Sequence, residues 1–216
     1  MNPDHLDGYR MSFGIGGLMV NESVALAQFC GREESWPDVR ARLLAEGISS
    51  FPKAASQTRI LRELFDRMRH LSKAEREHLV GDADREEKNA LIWLAICRTY
   101  RFIREFAVEV IGERYASWRL DLGQDAFDRF LVEKAEMDPA LLKLSQSTCV
   151  KLRQVTFRIL REAGILGRDN RIQPVWLPSR LKMMIADESP DDLLIFHGKI
   201  RPVWPFRGMR FLRFYA

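Results

Sequence analysis

The chain has 216 residues, 46% of them hydrophobic and 30% charged, with a formal charge of +4 and three cysteines. That length supports one large domain or two small ones around a real hydrophobic core, and the composition excludes wholesale disorder. Cys30, Cys97 and Cys149 lie far apart in apolar helical patterns, so the sequence predicts reduced, buried thiols in the cytoplasm, with no disulfide frame and no zinc knuckle.

The opening "MNPDHLDGYR" is polar and acidic, which predicts no secretory signal. "SFGIGGLMVNESVALAQFC" then predicts a short glycine-rich segment followed by a helix over residues 18–30. In "SWPDVRARLLAEG", Ser35 fits an N-cap, Pro37 and Asp38 a first turn, and Gly47 a stop. A helix over 54–71 carries Ile60, Leu61, Leu64, Phe65, Met68 and Leu71 on one side and pairs with the preceding helix as a helix-turn-helix. Its outer stripe is Arg59, Arg62, Asp66 and Arg69. Asp66 would blunt that potential, and an i,i+4 pair of Arg62 with Asp66 would account for both, so this helix alone reads as structural. "SKAE" at 72–75 fits a capping box for a short helix ending near Gly81. A long helix over 85–118 follows. Its stretch "ALIWLAIC" is apolar all round, too short to span a bilayer and followed by Arg98, Arg101 and Arg104, so it predicts a buried central helix and no membrane insertion.

"RLDLGQD" at 119–125 marks the boundary between an N-terminal helical lobe, 1–118, and a C-terminal lobe, 121–216. The second lobe predicts a helix over 126–136, a short one opened by Asp138-Pro139, and a helix through "STCVKLRQVTFRILREAGIL" that Gly164 stops. Two short apolar runs, 165–166 and 172–176, flank the turn-forming "GRDN" and predict one small β-hairpin. "PSRLKMMIA" and "SPDDLLIF" predict further helices. The tail "RPVWPFRGMRFLRFYA" holds Trp204, Phe206, Phe211, Phe214 and Tyr215 among its arginines. It suits a single-strand clamp, an interface anchor or a segment docked on its own core, and so many aromatics favour burial.

Charge is unevenly spread. Residues 145–182 carry eight Lys/Arg against Glu162 and Asp169, residues 199–216 carry five and no acid, and residues 1–144 sum to −3. Such asymmetry points to a polyanionic partner, although surface charge also serves solubility. On a helix, Ser147, Lys151, Gln154, Arg158 and Arg161 form one stripe opposite a core face of Cys149, Leu152, Thr156, Ile159, Leu160 and Ala163. Ser147 and Thr148 stand near the helix start, where N–H groups and hydroxyls hold phosphate oxygens. A basic stripe by itself is more often merely wet. Here the order helix–helix–helix–hairpin, with Arg168 and Arg171 at the turn, is that of a winged helix, whose third helix enters the major groove while the wing meets the backbone.

Enzyme chemistry finds no foothold. "GIGG" lacks a preceding strand and a βαβ unit, no phosphate-loop motif occurs, and His5, His70, His78 and His197 show no ligand spacing. The sequence therefore predicts no catalytic residues, no cofactor and no metal.

"YRMSFGIGGLMVNES", "SQTRILRELFDRM", "LIWLAICRTYRFIREFAVEVI", "FLVEKAEMDPALLKLSQSTCVKLRQVTFRILREAGIL" and "IQPVWL" together resemble the BrxA family of bacterial BREX phage-defence systems. The resemblance runs in order over roughly residues 9–180. It implies a cytoplasmic, largely helical, non-catalytic protein that binds double-stranded DNA beside other BREX proteins, among them a methyltransferase and ATPases. It brings no site residues with it, so the DNA-facing assignments rest on the helical wheel.

The expected architecture is mainly α: a multi-helix, two-lobed protein with helix-turn-helix and winged-helix-like units. The expected DNA contacts are Ser147, Thr148, Lys151, Gln154, Arg158, Arg161, Arg168 and Arg171, with Arg59, Arg62 and Arg69 as a second tier. Two alternatives stand beside this reading: a protein–protein adaptor within the defence complex, and an RNA-binding helical bundle resembling antitermination factors.

Overall fold

The computed structural model describes residues 8–29, 35–46 and 54–198, which are mainly α-helical. Five helices come first: α1 (Val20–Phe29), α2 (Trp36–Glu46), α3 (Ala54–Met68), α4 (Lys73–Val80) and α5 (Arg85–Thr99). Their starts are chemically marked. The Glu75 backbone N–H donates to Ser72 Oγ at 3.3 Å while the Ser72 N–H donates to the Glu75 carboxylate at 2.7 Å, so two donors without helical partners are satisfied at once. Asp84 and Glu87 repeat the device at the start of α5. Cys30 and the stop expected at Gly47 lie outside the described residues.

The helix expected to run unbroken over 85–118 is interrupted. Tyr100 adopts extended geometry (φ −123°, ψ 96°), after which α6 (Arg101–Glu105), a π-helical stretch (Phe106–Gly112) and α7 (Glu113–Ala116) carry the chain on. The break turns the fully buried Tyr100 towards α3, where its hydroxyl donates to Glu63 at 2.5 Å and its ring meets Phe13 edge-on. Side-chain burial here outweighs an uninterrupted backbone ladder. Upstream of the break, residues 90–97 are all buried, as an all-round apolar run requires, and Trp93 donates its indole N–H to the Ile195 carbonyl at 3.3 Å.

Beyond α7 come α8 (Asp125–Ala135), a 3-10 turn (Pro139–Lys143), α9 (Gln146–Glu162), α10 (Ser179–Glu188) and a final 3-10 helix (Pro190–Ile195). Gly164, at φ +76°, ends α9 in the left-handed conformation that lacks a penalty only for glycine. The hairpin forms at an antiparallel bridge of Leu166 with Ile172. A third short piece joins it: the Leu122 N–H donates to the Asn170 carbonyl and the Ile172 N–H to the Leu120 carbonyl. The segment read only as a boundary thus also pairs with the hairpin.

Residues 8–18 run as an irregular strap across these elements. The Tyr9 N–H donates to Asp138 at 2.7 Å and its hydroxyl to Glu105 at 2.5 Å, while Phe13 is fully buried. At the other end, Leu18 donates its N–H to Glu162 at 2.5 Å, and the buried Arg67 donates to the Gly17 carbonyl at 3.0 Å. The buried apolar residues form one cluster extending from Tyr9 to Phe196. No helix among the described residues is long and apolar enough to cross a membrane. Cys97 is buried, its thiol pushed well up by desolvation, and Cys149 is half-buried rather than fully inside. The aromatic tail, 199–216, lies outside the described residues.

Candidate nucleic-acid interface

A helical repeat of 3.6 residues sorts α9 into two faces. Leu152, Thr156, Phe157, Ile159 and Leu160 are buried, and Ser147, Lys151, Gln154, Arg158 and Arg161 are exposed. Thr156 spends its hydroxyl on the Leu152 carbonyl at 2.9 Å. The N-cap is Ser145, whose Oγ accepts from the Thr148 N–H at 3.2 Å and lies 3.0 Å from Ser147 Oγ and 2.8 Å from Thr148 Oγ1. Three hydroxyls therefore gather at the helix start, with Ser147 exposed and Thr148 half-buried.

The cations along the stripe differ in what holds them. Arg158 is paired with Glu162 at 2.7 Å. Arg161 donates to Asn170 Oδ1 at 2.6 Å, which ties the end of α9 to the hairpin turn. Lys151 and Gln154 have no side-chain partner among the described residues. On the turn, Arg168 and Arg171 are exposed, and Asn170 takes a positive φ of 60°.

On α3 the inner face buries Leu61, Leu64 and Met68 together with two charged groups. Arg67 is fully enclosed and donates to Glu63 at 2.9 Å; Glu63 also accepts from Tyr100. Arg59 and Arg62 are exposed on the outer face, and Arg69 is exposed in the turn that follows Met68. The expected i,i+4 pair of Arg62 with Asp66 does not form. Asp66 instead holds Arg10 of the strap at 2.6 Å, because the strap brings a second guanidinium to the carboxylate and leaves Arg62 to solvent.

The strap also brings the two basic stripes together. Arg59 and Arg62 of α3 and Arg69 just past its end face Thr148 and Lys151 of α9 across an open groove of about 730 Å³ whose floor is Arg10, Ser12, Gly14 and Ile15. A neighbouring groove of about 570 Å³ continues past Gly16 to Gln154 and Arg158. The "GIGG" segment, which lacked a nucleotide-binding context, is the floor between two basic helices. Arg168 and Arg171 line neither groove. Arg10 escaped sequence reasoning, since a lone arginine in an aperiodic segment carries no signal until packing places it. Among the described residues no group of three or more His, Cys, Asp or Glu side chains could hold a metal ion.

Comparison with known proteins adds three findings. The BrxA family model matches residues 7–189. The BREX protein BrxA of Bacillus cereus (strain H3081.97) is 32% identical over 87 residues, a match spanning 40% of this chain and 44% of that protein. The crystal structure of an uncharacterized protein from Magnetospirillum magneticum has a TM-score of 0.75 at 17% identity, covering 88% of this chain and 98% of that one, which is a likeness of fold.

Proposed function

Because the chain belongs to the BrxA family, we propose that it serves a BREX phage-defence system as a non-catalytic protein that binds double-stranded DNA. The observation that carries this reading is the exposed polar face of α9, tied through Arg161 and Asn170 to a hairpin turn that presents Arg168 and Arg171. The element order supports a winged-helix unit: α7, the short extended piece at 120–122, α8, the 3-10 turn, α9, then the hairpin on which that piece pairs. In this reading α9 enters the major groove, where Lys151, Gln154, Arg158 and Arg161 meet base edges and phosphates while the wing arginines grip the backbone.

The test is a triple replacement of Lys151, Arg158 and Arg161 by alanine. Duplex affinity should fall at least tenfold, and the slope of log affinity against log salt should drop by about 0.9 for each lost phosphate contact. The melting temperature should change little, because the three side chains are exposed. Parental affinity in a folded triple variant would remove α9 from the interface.

A second reading, contact with another BREX protein, draws support from Trp118 and Trp176, whose surfaces are 80% and 63% exposed. Replacing both with serine should then abolish co-purification with other products of a reconstituted defence locus and leave duplex affinity unchanged. Retained co-purification would dismiss it.

A further inference from the structure

We infer that the groove between α3 and α9 seats the sugar–phosphate backbone of one duplex strand, with Arg10 passing from Asp66 to a phosphate; this rests on the DNA-binding reading above. Both acids on the groove wall are already committed. Glu63 is buried and bound to Arg67 and Tyr100, and Asp66 is bound to Arg10. Beside them Arg59, Arg62 and Arg69, and across the groove Lys151, carry no ion pair among the described residues. The open space between the helices is therefore walled by cations with unspent donors.

Geometry suits a backbone better than bases. From Arg59 to Arg69, just past the C-terminal end of α3, the wall runs about 15 Å at 1.5 Å per residue, long enough to meet more than one phosphate of a strand. Gly14 at the floor lies against the Leu152 and Lys151 side chains, so its missing side chain lets the strap pack close to α9. Among the described residues the apolar groups lining the groove are Met11, Ile15 and Leu152, with no aromatic ring on which an unstacked base could lie. Arg10 is held ready at the floor: half-exposed, seated 5.3 Å above the Tyr100 ring and oriented by Asp66. A phosphate competes with that carboxylate for the same guanidinium, so Asp66 acts as a brake on binding.

The key variant is Asp66→Asn, because the inference predicts a gain that disappears when Arg10→Gln is added, whereas loss of one negative charge alone predicts a gain that persists. Titrated with a duplex of about 20 base pairs across a salt series, the variant should bind roughly three- to tenfold tighter than the parent at low salt. Arg10→Gln and Arg62→Gln should each weaken binding by a similar factor and lower the salt slope by about 0.9. Unchanged or weaker binding by Asp66→Asn, with Arg10→Gln and Arg62→Gln at parental affinity, overturns the groove assignment. The α9 triple variant, run in parallel, separates this failure from that of the DNA reading: if it too binds as the parent does, the reading itself falls. Single-stranded DNA of the same sequence binding more tightly than the duplex, with the same dependence on Arg62, would also overturn the assignment. Should Asp66→Asn lose its helical circular dichroism, Arg62→Gln carries the test, since its side chain is exposed and touches no acid among the described residues.

Discussion

Arg62 and Arg67 stand five residues apart on α3 and do opposite things. Arg67 is fully enclosed, donating to Glu63 and to the carbonyls of Gly17 and Leu18, so it locks the strap to the helix. Arg62 lies in water at the edge of a groove. The same division recurs across the molecule. Arg98 makes two hydrogen bonds to Glu75 and others to Asp192 and the His70 carbonyl, and Arg104 reaches the same Asp192 at 3.2 Å. A guanidinium leaves water only where carboxylates and carbonyls replace its hydration, and one without such partners stays outside. Pairing, rather than charge count, separates cations that hold the fold from cations available to a ligand. The strongly positive stretch 145–182 is less free than its sum implies, since Arg153 is bound to Asp128 and Arg158 to Glu162. The first 144 residues, negative in total, contain four of the groove's arginines: Arg10, Arg59, Arg62 and Arg69.

The sharpest way to break this comparison is to remove the enclosed partner. Arg67→Ala leaves Glu63 buried without its cation and strips the strap of its donor, so it should destabilise the protein by about 3–5 kcal/mol. Urea unfolding measures it, and a loss below about 1 kcal/mol would mean that enclosed and exposed arginines are equivalent here. A pH series extends the comparison to a buried base with no carboxylate partner among the described residues. Burial pushes His197 down to about 4, against a hydrogen bond with the Ala107 backbone that opposes the shift. The unfolded chain takes up its proton first, near pH 6.5, so this contribution to stability is intact above that value and is lost as pH falls towards 4. The loss should be on the order of 3 kcal/mol at most. His197→Gln should flatten that window relative to the parent in paired unfolding curves, and parallel curves would refute the assignment. The smallest effect belongs to the groove. Arg69→Ala should change stability by less than about 0.5 kcal/mol, and a larger loss in the same urea assay would show that the groove's exposed arginines also hold the fold.

What the sequence determined by itself is local. The 3.6-residue spacing of α9, the Ser72–Glu75 capping box, the glycine stop at 164 and the enclosure of residues 90–97 each depend on groups within a few positions of one another. A helix wheel or a cap needs no knowledge of distant chain, and these features stand where the pattern places them. Tertiary structure decided everything that turns on a remote partner. Tyr100 breaks its helix for a carboxylate 37 positions away, the Leu120–Leu122 segment finds the hairpin some fifty residues later, and Asp66 takes Arg10 rather than the arginine one turn before it. The meeting of Arg59 and Lys151 across the strap is of the same kind. Hydrophobic period is written along a few residues of chain, whereas the choice among several competing charges is made only when packing has brought one of them within hydrogen-bond reach.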